Sequence, residues 1–330
     1  MLRVGLIGLG FMGGMHAACY KAIEGVSLTA VSDAVSENAE KIAREHNAKV
    51  FENALDLINS DEVDAVDICL PTYLHTRYAV EAMKRGKAVF IEKPVSRDLE
   101  EAELLLKTRA ETGANVMVGQ VIRFWDEYVW IKEAIDSKKY GDVVSVVLKR
   151  VSSLPSWAWN GWLHNDKLSG GAALDMHIHD VDYIRYILGE PGEVSSIARR
   201  DENGSMTQIF TSYKFPGGVI ATSEACWDYP PDFPFCMEIR VKLEKATIVY
   251  NSAESVFAVY PNEGGSFKPE LNTVTLDNRA GGNISSLGGY YNELKYFVER
   301  VSNNKPIENA TLKDSVESLK LALREISAAD

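Results

Sequence analysis

The sequence predicts an α/β protein in two parts: a doubly wound parallel sheet over residues 1–121, then an α+β domain over 122–330 built on a large, open, mostly antiparallel sheet. Three observations predict it. Short apolar runs alternate with stretches of helical spacing through the first 120 residues. A glycine-rich turn joins the first run to the first helix. Beyond residue 120 the apolar runs follow one another through tight turns rather than helices.

The apolar runs of the first part are Leu2–Leu9, Val26–Ser32, Val63–Leu70, Ala88–Ile91 and Asn115–Gly119. They are too continuous for a half-exposed strand, so each is expected to be covered on both faces. Between them, Met12–Ile23, Ser36–His46, His75–Arg85 and Leu99–Thr112 carry helical spacing, with Gly86 and Gly113 where helix C-caps belong. In the second part, Tyr128–Lys138 reads as a connecting helix. The strands are Val143–Val151, Val194–Arg200, Thr207–Phe215, Val219–Trp227, Cys236–Leu243, Thr247–Tyr250, Val256–Tyr260 and Thr273–Leu276. Turns such as Pro216-Gly217-Gly218 and Glu263-Gly264-Gly265 separate several of them. One helix, Leu174–Leu188, interrupts the series, and two more, Tyr290–Val301 and Thr311–Ile326, close the chain.

Composition narrows the function. The chain has 330 residues and a formal net charge of -12, with no basic run longer than two residues, which argues against nucleic-acid binding. No apolar stretch is long enough to span a bilayer and no export signal is visible, so the expected compartment is the cytoplasm. The four cysteines, Cys19, Cys69, Cys226 and Cys236, form no C-x-x-C pair and read as reduced thiols. The sequons at Asn203, Asn283 and Asn309 then read as chance.

Gly8-Leu9-Gly10-Phe11-Met12-Gly13 is G-x-G-x-x-G between a strand and a helix. Gly8 permits the tight turn, Gly10 lets the backbone approach a pyrophosphate, and Gly13 lets helix and strand pack closely. Asp33 ends the second strand, twenty residues past Gly13, where a carboxylate accepts from ribose hydroxyls and repels a 2′-phosphate. Ala34 and Val35 follow, with no arginine to receive such a phosphate. This context predicts a Rossmann dinucleotide site for NAD rather than NADP. Glycines serving only the turn, with Asp33 as a helix cap, are the competing reading.

Two further constellations carry chemistry. Glu92-Lys93-Pro94 ends the fourth predicted strand, where ligands bind in doubly wound sheets. There the Lys93 ammonium can donate to a substrate hydroxyl, or simply be solvated. Gly170-Gly171 leads into a helix with Asp175 and His179 at i and i+4, a carboxylate–imidazole pair suited to taking a proton near neutral pH, or to structure alone. His177 lies about 200° around that helix from Asp175, so D-x-H-x-H does not converge on one ion and no metal is expected. The aromatic segment Trp157–Asp166 can stack on sugar faces, with Trp162 the best candidate for a pocket rim and Asn160, His164 and Asn165 for hydroxyl contacts; core or subunit packing is the alternative.

With these residues together, the chain resembles the Gfo/Idh/MocA oxidoreductases. The resemblance rests on Gly8–Gly13, on Pro71-Thr72-x-x-His75, on Glu92-Lys93-Pro94 and on Gly-Gly-x-x-x-Asp175-x-x-x-His179-x-x-Asp182, and it covers nearly the whole chain. It implies Lys93, Asp175 and His179 as the catalytic set. Gly8, Gly10, Phe11, Met12, Gly13, Asp33, Pro71, Thr72, His75, Glu92, Lys93 and Gln120 would bind NAD, and Arg123, Trp162 and His177 would lie toward the substrate. It also implies a homodimer or homotetramer formed through the open sheet; the two-domain architecture itself makes the cleft between the domains the expected active site. His177 stands where a small residue is usual and Ala172 where a third glycine is usual, which bears on substrate identity.

The expected activity is hydride transfer between nicotinamide and a secondary alcohol of a sugar, sugar derivative or inositol. A redox-neutral sugar conversion with retained NAD, and a non-catalytic NAD-binding regulator, are the alternatives.

Overall fold

The computed structural model describes residues 1–155, 158–271, 273–274 and 287–329. The chain divides into two compact units. The first comprises residues 1–121, 157–162 and 274–319, and the second 122–156, 163–273 and 320–330. The division therefore differs from two consecutive segments, because a helix near the C-terminus returns to the first unit.

In the first unit the elements are β1 (Leu2–Ile7), α1 (Phe11–Ala22), β2 (Val26–Ser32), α2 (Ser36–His46), β3 (Lys49–Val50), α3 (Ala54–Asn59), β4 (Ala65–Ile68), α4 (Thr72–Lys84), β5 (Ala88–Ile91), α5 (Leu99–Thr112) and β6 (Val116–Val118). The strands are parallel in the order β3-β2-β1-β4-β5-β6, so the order reverses between β1 and β4. All of them end at one edge, which is where such sheets bind ligands. The Val/Ile-rich strands form because both faces are covered: Val4, Leu6, Val66, Ile68, Val89, Phe90 and Ile91 are fully buried. Asp98 starts α5 by accepting from the Glu101 N–H at 2.9 Å, and Gly113 ends it at φ 69°. The edge strand β3 and the helix α3 were not predicted. Lys49 and Val50 are exposed and carry no apolar signal, and α3 is too short to show a period.

The second unit contains α6 (Asp126–Asp136), β7 (Val143–Ser153), α7 (Asp166–Ser169), α8 (Gly171–Asp175), α9 (Ile178–Leu188), β8 (Glu193–Arg200), β9 (Met206–Lys214), β10 (Ile220–Tyr229), β11 (Cys236–Leu243), β12 (Ala246–Asn251) and β13 (Val256–Pro261). Seven strands form one sheet in the order β13-β12-β11-β7-β10-β9-β8. Every pair is antiparallel except β7 with β10. The predicted strand Thr273–Leu276 runs into residues outside those described, as do Trp157 and the Asn283 sequon; residues 273 and 274 are not in a strand.

Two helices close the chain, α10 (Gly288–Ser302) in the first unit and α11 (Leu312–Ala328), which is divided between the units near residue 319. The apolar face of α10 packs on the first unit, with Phe297 edge-to-face on Phe90 at 5.6 Å.

Candidate active site

Each unit presents its own part of the predicted site. In the first, the turn after β1 places Gly8 at φ 86°, in the left-handed region. A Cβ on Gly8 would lie 2.6 Å from the Cys69 carbonyl oxygen, and one on Gly13 would lie 1.9 Å from that of Gly8. A Cβ on Gly10 would meet nothing within 4 Å, and Gly10 is exposed. Packing therefore demands the outer two glycines, while the middle one fronts open space. The α1 N-terminus beside it has no side-chain cap and no acidic residue in its first turn, so an anion would be favoured there. Phe11 and Met12 are half-buried on that first turn.

Asp33 emerges from β2 and braces this turn. Its Oδ2 accepts from the Leu9 N–H at 2.5 Å and its Oδ1 from the Val35 N–H at 2.7 Å. It does not cap α2. The carboxylate stays partly exposed, with lone pairs left for a ribose hydroxyl. These features fit a dinucleotide: Gly10 and the α1 N-terminus would hold its pyrophosphate, and Asp33 a ribose.

Residues after β4 and β5 complete this edge. Pro71 precedes α4 and is partly exposed. Thr72 and His75 are buried at 1% exposure. The His75 ring nitrogens lie 2.7 Å from the Leu70 carbonyl and 2.9 Å from the Pro94 carbonyl, so His75 ties the two loops together rather than presenting a group to a cofactor. Burial pushes its pKa down, and a neutral ring can donate to one of the two carbonyls at a time. Between residues 89 and 96, Lys93 alone is not buried. The Lys93–Pro94 peptide is cis. Glu92 lies beneath, its Oε2 accepting from the Lys93 N–H at 3.0 Å, and a Cβ on Gly119 would crowd its Oε1 at 3.0 Å. Gln120 is buried and donates to the Ser315 hydroxyl at 3.4 Å.

In the second unit the single predicted helix Leu174–Leu188 is two, α8 and α9, joined through Met176 and His177. The His177 N–H reaches back to the Ala172 carbonyl, one residue beyond the α-helical partner, which widens the turn there. Gly170 and Gly171 are both left-handed, and a Cβ on either would strike Leu174 or the Met206 carbonyl within 3 Å. Across residues 171–180 the side chains are buried except at two positions, Asp175 and His179. His177 is a correction. It is fully buried with Nε2 2.5 Å from Glu325 Oε2, and Thr211 donates to the same oxygen at 3.2 Å, so it is part of the core and not of a substrate surface.

Arg123 is the second correction. It is buried, with Nε and Nη2 each 2.7 Å from an Asp182 oxygen and its guanidinium over Tyr186 at 4.5 Å. Together with the buried Arg150–Asp180 pair at 2.9 Å, it anchors the start of α9 at positions one and three residues past His179. Trp162 is half-buried on a short helical turn in which Asn160 and Gly161 are left-handed. His164 contacts the Pro155 carbonyl at 2.8 Å, and Asn165 caps α7 through the Lys167 N–H at 3.1 Å. Trp157 lies outside the described residues.

Sequence reasoning missed a buried cluster in the first unit formed by His16, Asp67 and Glu293 with Glu92. One signal was present: Asp67 is a charge inside an apolar strand.

Comparison with known proteins finds matches in both halves of the chain. Residues 2–120 match the oxidoreductase family with an NAD-binding Rossmann fold, and residues 128–249 match the GFO/IDH/MocA C-terminal domain. An inositol 2-dehydrogenase of Rhizobium meliloti is 36% identical over 200 residues, a match that spans 60% of this chain and 58% of that relative's length. A 2,7-anhydro-N-acetylneuraminate hydratase of Escherichia coli is 28% identical over 306 residues, 87% of this chain and 77% of that protein. A solved scyllo-inositol dehydrogenase of Lactobacillus casei has a TM-score of 0.80 at 25% identity, covering 99% of this chain and 96% of that one. With both domain types matched in order and the dinucleotide turn built as its glycines require, the chain belongs to the Gfo/Idh/MocA family of oxidoreductases.

Proposed function

We propose that the protein is an NAD-dependent dehydrogenase acting on a secondary alcohol of an inositol, sugar or sugar derivative. One observation carries the reading: in two otherwise buried runs, 89–96 and 171–180, the residues that reach the surface are Lys93, Asp175 and His179. An ammonium, a carboxylate and an imidazole kept accessible amid buried neighbours are groups held for chemistry. When bound, NAD would supply the hydride acceptor. His179 takes the hydroxyl proton, Asp175 orients the imidazole, and Lys93 donates to the hydroxyl oxygen as charge grows there. Asp33, followed by Ala34 and Val35, favours NAD over NADP, since neither of those two residues is a cation that could receive a 2′-phosphate.

The hydratase relative supports a second reading, a redox-neutral conversion in which NAD is retained. The four unpaired cysteines support a reducing, cytoplasmic compartment, and among the described residues no helix is long and apolar enough to cross a membrane. Ile197, Phe210, Ile220 and Tyr260 share one face of the second unit's sheet and are 40–70% exposed, which supports a homo-oligomer formed on that face.

The test is nicotinamide absorbance with a panel of inositols and sugars. Lys93→Ala and His179→Ala are each expected to lower kcat by about 10²–10⁴-fold while NADH still binds. Near-normal turnover by both variants refutes the assignment. NAD retained through purification without net reduction favours the second reading.

A further inference from the structure

The first unit buries more ionisable groups than a dinucleotide site needs. His16 on α1, Asp67 on β4, Glu92 after β5 and Glu293 on α10 are each at most 5% exposed. Isolated buried charges cost several kcal/mol, so such a set persists where its members satisfy one another. Three contacts run in series. Asp67 Oδ2 lies 2.8 Å from His16 Nδ1 and also accepts from the Tyr20 hydroxyl at 2.9 Å. His16 Nε2 lies 3.1 Å from Glu92 Oε1, a close charge contact in which neither atom has hydrogen-bond geometry to a partner among the described residues. Glu92 Oε2 accepts from the Lys93 N–H at 3.0 Å. Glu293 closes the cluster, with one of its oxygens, one of Glu92 and a His16 ring nitrogen all within 4.8 Å of one another. Neither Glu293 oxygen has a hydrogen-bond partner among the described residues.

The geometry dictates the protons. Each His16 ring nitrogen faces a carboxylate oxygen, and an ionised carboxylate can accept but not donate. An imidazolium, with hydrogen on both nitrogens, is the state these two carboxylates favour. Two carboxylates already face that one cation, so a third buried carboxylate would stand unbalanced, whereas a neutral acid would not.

We propose that His16, held as an imidazolium, and Glu293, held as a neutral acid, are positioning residues that act through Glu92 to set the backbone at Lys93. The proposal rests on Lys93 acting on the substrate hydroxyl. A Glu92 carboxylate drawn at one oxygen toward the His16 charge can hold the Lys93 N–H with the other, which fixes the root of the ammonium-bearing side chain. Misplacing a catalytic group by about 1 Å costs on the order of 100-fold. Burial opposes the charge on His16; because burial also keeps the Cys69 thiol neutral, the charge that favours the imidazolium comes from Asp67 and the other carboxylates. Burial first, then Glu92, pushes the Glu293 carboxyl well above the usual carboxylate range.

Two arms test this. Nitrogen-15 NMR of histidine-labelled protein, at about pH 9 where ordinary histidines are neutral, should show an imidazolium that disappears in His16→Gln. No imidazolium at that pH, or one that survives the substitution, overturns the proposal. This arm needs no substrate, so it still decides the network if Lys93→Ala shows that lysine to be idle. The second arm is kinetic. A glutamine amide reaches about as far as Nε2 and an asparagine amide about as far as Nδ1. His16→Gln should retain kcat within about tenfold, and His16→Asn should lose about 30–100-fold, both with KM and NADH affinity within threefold. Glu293→Ala should lower kcat, and Glu293→Gln, the uncharged isostere, should rescue it. Equal losses in the two His16 variants, failure of the glutamine rescue, or a stoichiometric metal ion in freshly purified protein would each overturn it.

Discussion

Gly10→Ala and Gly13→Ala separate what the glycine turn does for the fold from what it does for a ligand. At Gly13 the new Cβ would stand 1.9 Å from the Gly8 carbonyl oxygen, about 1 Å closer than any real contact. The oxygen belongs to backbone held at the end of β1, where the Gly8 N–H donates to the Ser32 carbonyl at 2.9 Å, so α1 must move. Overpacking of this kind costs about 1–3 kcal/mol, which for a unit of this size lowers Tm by roughly 2–12 °C. At Gly10 the new Cβ meets nothing, and the backbone is extended (φ -69°, ψ -150°) and not left-handed. Gly10→Ala should therefore melt within about 1 °C of wild type. Its methyl occupies the space a pyrophosphate needs, so NADH affinity should fall by at least tenfold, about 1.4 kcal/mol. Thermal melts and NADH fluorescence titrations read both quantities on the same samples. A Gly10→Ala protein that binds NADH like wild type would refute the placement of the pyrophosphate.

Three other outcomes follow from particular contacts. Removing the buried partner of Glu325 with His177→Ala should cost about 3–5 kcal/mol yet leave NADH affinity unchanged, since the glycine turn lies in the other unit; calorimetry and titration check this. Replacing Asp33 by serine should weaken NADH binding and narrow its advantage over NADPH; an unchanged ratio would remove Asp33 from the ribose. Glu293 has its carboxyl pKa raised by burial, so the native state holds a proton that the unfolded chain releases above about pH 4.5. Stability should thus fall as pH rises from the unfolded carboxyl value toward the folded one, with His16, Asp67 and Glu92 facing the group. Denaturant melts of Glu293→Gln should show a flatter slope over that range.

Legibility varied with the reach of the interactions involved. Parallel strands covered on both faces betray themselves as continuous apolar runs, and a turn that needs left-handed backbone and close helix packing needs glycines at set spacing, so β1, β2, β4, β5 and the Gly8–Gly13 turn could be read directly. Lys93, Asp175 and His179 were legible as chemistry-bearing types in motif positions. Edge strand β3, short α3 and the break between α8 and α9 left no such trace, because a two-residue strand has no period and helical spacing continues through Met176 and His177.

The sequence by itself determined the doubly wound first domain, the mostly antiparallel second one, the dinucleotide turn and the family, since each depends on local period or on a fixed spacing of residue types. The tertiary structure decided what happened to the polar residues. It buried His177 against Glu325, locked Arg123 onto Asp182, brought α10 back to the first unit, and gathered His16, Asp67, Glu92 and Glu293 from four separate segments. A histidine or arginine has the same local spacing whether it faces solvent, a ligand or a buried carboxylate. Which of these it meets depends on partners as distant as the 148 residues between His177 and Glu325, and that pairing exists only once the chain has packed.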